Sequence, residues 1–280
     1  MLETTENQFG FKQGVGCSHA IYTVRNIISS ATNKGTTVNL CAIDLSKAFD
    51  KVNHYALLIK IMKRKVPVVI LELLENLLLE SYSCVKWNCV MSDFFTVKLG
   101  VRQGSVLSPY LFAVYVNDVD CSRTGCHVIL YADDILLIAP TITQLEKLLH
   151  DCENELQWLD MVINFKKSSC LRVGPRFNAS CAKIVSLYGQ ALSWVKEIKY
   201  LGIYLVSSTL MKCDLSHAKS CFYRGANEMF GRIGRFASVN VILELLQSKC
   251  IPALLYGLEA LPLNQTQLNS LDFVINFDPQ

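Results

Sequence analysis

Apolar positions along the chain recur at two spacings, and the switches between them predict the order of elements. Ala20, Ile21, Val24, Ile27 and Ile28 follow Ser18 at helical spacing, which predicts a helix over 18–30 capped by Ser18. Asn33-Lys34-Gly35 reads as a turn. Residues 38–45 form a nearly unbroken apolar run with Asp44 near its end, the pattern of a strand buried on both faces. Residues 48–65 read as a helix with a basic end (Lys60, Lys63, Arg64, Lys65), and Pro67 precedes another over 68–80. A hairpin is expected over 85–99 with Ser92-Asp93 near its turn, then a polar loop over 100–109 and a buried helix over 109–119. Two strand-like runs over 127–139 enclose Asp133-Asp134, and an amphipathic helix follows over 144–159. Strands are expected over 163–173 and 191–205, and from Leu215 the pattern turns helical, punctuated by Pro252 and Pro262. This order predicts an α+β fold with a mostly antiparallel sheet.

Composition supports a folded, core-rich chain. Of 280 residues 51% are hydrophobic and 18% charged, against about 25% charged in a typical soluble domain, which suits one large domain or two to three subdomains. A net charge of +3 is too small to attract nucleic acid through the field of the whole molecule, so contacts to a polyanion must come from local patches. The twelve cysteines show no regular spacing and the first residues carry no basic-then-apolar leader pattern. Together these give the expectation of a reducing, intracellular setting in the nucleus, the cytoplasm or both. Cys213, His217 and Cys221 would share one helix face, as a metal site or as the coincidence of a Cys-rich chain. Glu72 and Glu75 break the apolar stretch 66–79, and Asp133 and Asp134 break 128–139. No apolar run reaches the roughly 18 residues of a membrane span, and none is expected.

The informative chemistry is acidic. Two adjacent carboxylates between apolar strands are costly unless protonation, a basic partner or a bound cation neutralises them, or unless the turn is open to solvent. Asp44 sharpens the question, because Asp is depleted in strands. If both strands belong to one sheet, Asp44, Asp133 and Asp134 converge. Three hard oxygen donors then suit Mg²⁺, and a pair of such ions roughly 3.5–4 Å apart suits phosphoryl displacement.

At these residues the sequence resembles a known family. Residues 42–52, Ala-Ile-Asp-Leu-Ser-Lys-Ala-Phe-Asp-Lys-Val, resemble the first palm motif of reverse transcriptases from retrotransposons lacking long terminal repeats, the LINE class. Residues 100–109, Gly-Val-Arg-Gln-Gly-Ser-Val-Leu-Ser-Pro, resemble the second motif, and Tyr131-Ala132-Asp133-Asp134 the third. Ile163-Asn164-Phe165-Lys166-Lys167-Ser168 is similar to the fourth, and Lys199-Tyr200-Leu201-Gly202 to the primer-grip turn of the fifth. Gln8-Phe9-Gly10-Phe11 is similar to the rear of the fingers. Each motif alone is weak; their shared order over residues 7–205 makes the resemblance specific.

The resemblance implies a right-handed palm, fingers and thumb. Residues 1–37 would be partial fingers, 38–53 the first part of the palm, and 54–99 fingers, connecting helices and hairpin. Residues 100–206 would be palm with the primer grip, and 207–280 a truncated thumb-like region. The implied function is an RNA-directed DNA polymerase that uses two Mg²⁺ ions, or Mn²⁺, with an RNA template, a DNA primer and deoxynucleoside triphosphates, and no membrane. Asp44 and Asp133 would ligate both ions with the Leu45 carbonyl, and Asp134 would sit beside them. Phe49 would gate the sugar, or be a plain core residue. Gln103 and Gly104 would lie along nucleotide and template, and Arg102 would contact template or triphosphate or form a surface ion pair. Lys167, or Lys166, would serve the leaving pyrophosphate. Tyr200, Leu201 and Gly202 would grip the primer. Arg224, Arg232 and Arg235 would track the nucleic-acid backbone, or form a solvated face. Asp50 would brace the helix after Asp44. The family's front fingers, which supply basic residues for the triphosphate, have no counterpart here, nor have its endonuclease and Cys/His knuckle. A fragment with weak nucleotide affinity is therefore expected. Two alternatives share the palm: an inactive nucleic-acid-binding relic and a maturase-like or telomerase-like relative.

Overall fold

The computed structural model describes residues 5–117, 119, 124–234 and 236–276. In chain order its first elements are α1 (Cys17–Asn33), β1 (Val38–Ile43), a 3-10 turn (Ala48–Lys51), α2 (His54–Lys63) and α3 (Val68–Leu79). The short strands β2 (Tyr82–Ser83), β3 (Lys86–Trp87), β4 (Val90–Met91) and β5 (Phe95–Thr96) follow, then α4 (Ser108–Val116). Next come β6 (His127–Tyr131), β7 (Asp134–Ala139), α5 (Ile142–Trp158), β8 (Ser169–Val173), β9 (Ile184–Val185) and β10 (Ala191–Trp194). The chain continues through β11 (Glu197–Tyr200), β12 (Ile203–Val206), β13 (Lys212–Asp214), α6 (Ser216–Ile233), α7 (Val239–Leu245), α8 (Ile251–Leu255) and α9 (Gln265–Ile275). The backbone forms two compact units: residues 1–16, 38–170 and 180–194, and residues 17–37, 171–179 and 195–280.

The first unit holds the strand order β6-β7-β1, together with β9 and β10 and the first two residues of β8, Ser169 and Cys170, which pair with β10. β7 lies antiparallel between β6 and β1, β9 pairs antiparallel with β10, and β10 and β8 pair in parallel. Cys41 and Ile43 of β1, Val128 and Leu130 of β6, and Ile135, Leu137 and Ala139 of β7 join one core with α4 and α5. The alternate residues Leu40, Ile129, Leu136 and Ile138 are buried too, so these strands read as continuous apolar runs rather than as an alternation. α4 is buried nearly all round, with Pro109 in its first turn, where a missing N–H costs nothing. Thr141 caps α5 by accepting from the Gln144 N–H.

The second unit holds the antiparallel meander β11-β12-β13 and a helical cluster whose core includes Phe222, Cys250, Leu254, Leu271 and Val274. Leu201 (φ 44°) and Gly202 (φ 85°) make the two-residue turn between β11 and β12, the geometry that favours glycine. The Tyr256 ring lies so close that a Cβ on Gly202 would meet it at 2.7 Å.

Several sequence expectations are corrected. The helix expected over 48–65 is a 3-10 turn and a separate α2, because Asn53 accepts from the Tyr55 and Ala56 N–H groups and starts a new helix. The 85–99 hairpin is two nested pairs, β2 with β5 and β3 with β4, turning at Asn88 (φ 53°) rather than at Ser92-Asp93. Ser18 lies inside α1 and donates to Glu259 instead of capping. Residues 164–168 are a turn before β8, and the stretch 191–205 is three strands. Residues 239–260 form a run of 22 residues that meets the measure of a membrane span by length and composition, which the sequence reading did not find. Its helical backbone ends at Leu255, since Tyr256 is extended (ψ 123°) and Gly257 left-handed. Residues 239–255 are then about 25 Å long, short of a hydrocarbon core of about 30 Å.

Candidate active site

Asp44 immediately follows β1, and Ile43 pairs with Ile135 across to β7. The next step of that register sets Asp44 level with Asp134, and one further sets Leu45 level with Asp133. Tyr131 pairs with Asp134, so Ala132 and Asp133 are the whole turn between β6 and β7. The three aspartates therefore stand at the same end of neighbouring strands. Ile43 and Leu45 belong to the core under the helices, so alternation turns Asp44 to the opposite face. Ala132 carries a positive φ of 55°, a conformation L side chains rarely adopt and one that concentrates at functional sites.

The far side of Asp44 is held by the turn before β8. The Asp44 carbonyl accepts from the Asn164 N–H (2.8 Å), and the Asp44 N–H donates to Ser168 Oγ (3.0 Å). Ser168 Oγ in turn donates to the Asn164 carbonyl (2.9 Å). Ser46 N–H bonds the Val162 carbonyl (2.9 Å), flanking the bridge between Leu45 and Ile163. In such a non-hydrogen-bonded antiparallel pair, the Leu45 carbonyl points away from Ile163 and toward the β7 side. This turn also brings Lys167 Nζ to 3.8 Å from Asp44 Oδ2.

A second group gathers beside the 3-10 turn. Val101 N–H bonds the Phe49 carbonyl and Gly100 N–H the Val52 carbonyl, both at 2.8 Å, while a His54 ring nitrogen lies 2.7 Å from the Gly100 carbonyl. A Cβ on Gly100 would strike the Asp50 backbone at 2.8 Å, so glycine permits this approach. Gln103 Nε2 donates to Asp50 Oδ1 (3.1 Å), so Asp50 braces the loop rather than a helix. Phe49 is half-buried and stacks on Phe112, with ring centroids 4.5 Å apart. Arg102 is exposed and donates to Ser81 Oγ (3.2 Å), and Gly104 is exposed at φ 84°. Asp50, Leu77, Ser81, Val97, Arg102 and Gln103 contribute to a cavity of about 650 Å³, whose lining includes none of the three aspartates.

The remaining expected site residues fall in the second unit. Tyr200, Leu201 and Gly202 form the turn described above. Arg224 is exposed on α6, and Arg232 forms an i,i+4 ion pair with Glu228 at 2.6 Å. Arg235 lies outside the described residues. The helix face expected for Cys213, His217 and Cys221 does not exist: Cys213 is buried on strand β13, and Cys221 is exposed on α6. Among the described residues, the group of three metal-type donors within 4.8 Å of one another is Glu197, Asp214 and His217. Protein contacts engage all three. Glu197 pairs with His217 (3.3 Å), His217 stacks on Tyr204, and Asp214 Oδ1 accepts from Ser216 N–H and Oγ.

Sequence reasoning gave no role to Ser168 or Asn164, which hold the Asp44 backbone, or to Gln8, which reaches the turn at Ala132. Their contacts span up to 124 residues of sequence, beyond what local pattern reveals.

A family model described as reverse transcriptase (RNA-dependent DNA polymerase) matches residues 2–205. A probable RNA-directed DNA polymerase from transposon X-element of Drosophila melanogaster is 31% identical over 158 residues, covering 55% of this chain and 17% of that protein. The RNA-directed DNA polymerase from mobile element jockey of Drosophila funebris is 25% identical over 279 residues, covering 94% of this chain and 30% of that protein. The chain thus spans a third or less of these relatives. A structure of telomerase from Candida tropicalis in complex with a TWJ fragment of telomeric RNA aligns with a TM-score of 0.57 at 15% identity, covering 96% of this chain and 46% of that one. This last likeness bears on the fold.

Proposed function

Because the chain belongs to the reverse transcriptase (RNA-dependent DNA polymerase) family, we propose that it is the polymerase core of a LINE-type retrotransposon protein. It would add deoxynucleotides to a DNA primer on an RNA template, inside the cell. The observation that carries this reading is the register that sets Asp44 and Leu45 level with Asp134 and Asp133 at one end of adjacent strands.

The donor set fits hard divalent cations. Asp44 and Asp133 offer carboxylates, and Leu45 offers a carbonyl directed to the β7 side. Two Mg²⁺ ions, or Mn²⁺, held by Asp44, Asp133 and Leu45 beside Asp134 would supply Lewis-acid stabilisation of the attacking and leaving oxygens. The protein's own contribution is positional. The Asn164–Ser168 turn fixes Asp44 and carries Lys167, whose ammonium would offset charge on, or donate a proton to, the departing pyrophosphate. Phe49, held on Phe112, would close the space needed by a 2′-hydroxyl. Gln103, Gly104 and Arg102 would line the nucleotide and template side, and the Tyr200–Gly202 turn would grip the primer. Arg224 and Arg232 would meet backbone phosphates, Arg232 by exchanging its Glu228 partner.

Primer extension on an RNA template tests the reading. Extension that depends on Mg²⁺ or Mn²⁺, stops with a chelator and fails in Asp44→Asn supports it. Asp44→Asn extending as well as the parent refutes it.

A further inference from the structure

Residues 7–9, within a strap over 5–12, pair with the outer edge of β6. Gln8 forms a parallel bridge with Leu130, with the Phe9 N–H on the Leu130 carbonyl (2.8 Å) and the Leu130 N–H on the Asn7 carbonyl (2.9 Å). The Thr5 N–H ties the start of this strap to Asn117 Oδ1 (2.6 Å). Gln8 is 0% exposed. Its Oε1 accepts from the Gly10 N–H (2.9 Å) and from the Ala132 N–H (3.4 Å). Two donors converging on one atom fix the amide orientation, because the flipped group would set NH₂ against both. The Nε2 on the other side is buried without a hydrogen-bond partner. An oxygen at this place is thus retained despite the unmatched nitrogen that comes with it.

Gly10 completes the contact. A Cβ there would meet the Ala132 nitrogen at 2.7 Å, so the strap can lie against the turn only with glycine at this position. The residue it touches, Ala132, holds the positive φ of the turn and directly precedes Asp133.

We propose that Gln8 is a positioning residue for Asp133: its carboxamide oxygen, brought up by the strap and by Gly10, pins the Ala132 N–H and so holds the aspartate-bearing turn in its strained form. The inference rests on the polymerase reading for its catalytic consequence, while the pin itself is a property of the fold. Catalytic groups displaced by about 1 Å can lose up to roughly 100-fold in rate, so a turn free to relax would show in turnover.

The test uses the full chain and two independent readouts: amide hydrogen exchange at Ala132, referenced to Leu136 in mid-strand, and the Mg²⁺ dependence of primer extension. Gln8→Met keeps the bulk and removes the acceptor. It should speed Ala132 exchange by about five- to tenfold relative to Leu136, lower kcat by about tenfold or more, raise the Mg²⁺ concentration for half-maximal rate, and leave the primer KM near the parent value. Gln8→Glu retains an acceptor oxygen and should keep Ala132 slow. Gly10→Ala puts a Cβ 2.7 Å from the Ala132 nitrogen and 3.2 Å from Gln8 Oε1, so it displaces the same contact while keeping the carboxamide itself, and should reproduce the kinetic change if Gln8→Met fails to fold. Unchanged Ala132 exchange in folded Gln8→Met overturns the pin. Faster exchange with unchanged kcat and Mg²⁺ requirement overturns the positioning role. A parent that extends no primer sinks the polymerase reading and the catalytic half of the inference with it, while exchange at Ala132 still decides the pin.

Discussion

Lys167 sets its ammonium nitrogen 3.8 Å from a carboxylate oxygen of Asp44, and the same aspartate's main chain holds the turn that carries the lysine. The two side chains are 70% and 35% exposed, so the pair contributes little to stability, about 0–1 kcal/mol. Its consequence is placement. Lys167→Met should leave unfolding free energy within about 1 kcal/mol of the parent and slow single-nucleotide incorporation by about 100-fold, whereas Lys166→Met should change neither. Equal rates in parent and Lys167→Met would remove the lysine from the chemistry.

Phe49 serves two demands, since it stacks on Phe112 and leads into the loop with Gln103. Phe49→Val should lower stability by about 1–2 kcal/mol through lost packing and the lost ring pair. It should also raise ribonucleotide incorporation much more than it lowers deoxynucleotide incorporation. Competing incorporation of the two sugars, with a denaturant melt alongside, checks both parts. A folded variant with unchanged sugar preference contradicts the gate.

Tyr115 is buried in α4 and ties three segments together. Its hydroxyl donates to the Leu159 carbonyl (2.9 Å) and accepts from the Asn53 N–H (3.4 Å), beside the residue that starts α2. Tyr115→Phe strands both partners, and urea unfolding should show a loss of about 1–3 kcal/mol. A loss under about 0.5 kcal/mol, the range of neutral surface changes, would mean that the partners re-pair at no cost.

Burial pushes the Cys213 thiol up to about 12, so the folded chain keeps it protonated where the unfolded chain ionises it. The native state then binds more protons than the unfolded state above the ordinary thiol value of about 8.5. Stability is fully present below that value and falls as pH rises toward 12, by up to about 1.4 kcal/mol per pH unit. Cys213→Ala should flatten this part of the stability profile relative to the parent. Identical slopes between pH 9 and 11 would contradict it.

Much of the first unit was legible because its strands and helices bury long apolar runs. The run at 38–45 and the paired runs around Asp133-Asp134 gave β1, β6 and β7 directly. The order of acids and turns then pointed to one site. What local pattern missed was set by contacts distant in sequence. The helix expected to begin at Ala48 breaks at Val52 and Asn53, where the backbone instead pairs with Leu99 and Gly100. Asn88, between Trp87 and Cys89 in a stretch without glycine, takes the turn expected at Ser92-Asp93. Gln8 carries no local signal of its place, which the pairing of residues 7–9 with Leu130 of β6 and its full burial reveal.

The central claim is that Asp44 and Asp133 act together as the acidic centre of a polymerase. Asp133→Asn tests it most directly, because the change is nearly isosteric, removes one charge and lies in a turn whose backbone bonds it leaves intact. Primer extension on an RNA template with Mg²⁺ should fall by at least about 100- to 1,000-fold, with primer–template affinity and melting temperature close to the parent. Extension by Asp133→Asn at the parent's rate would contradict the account.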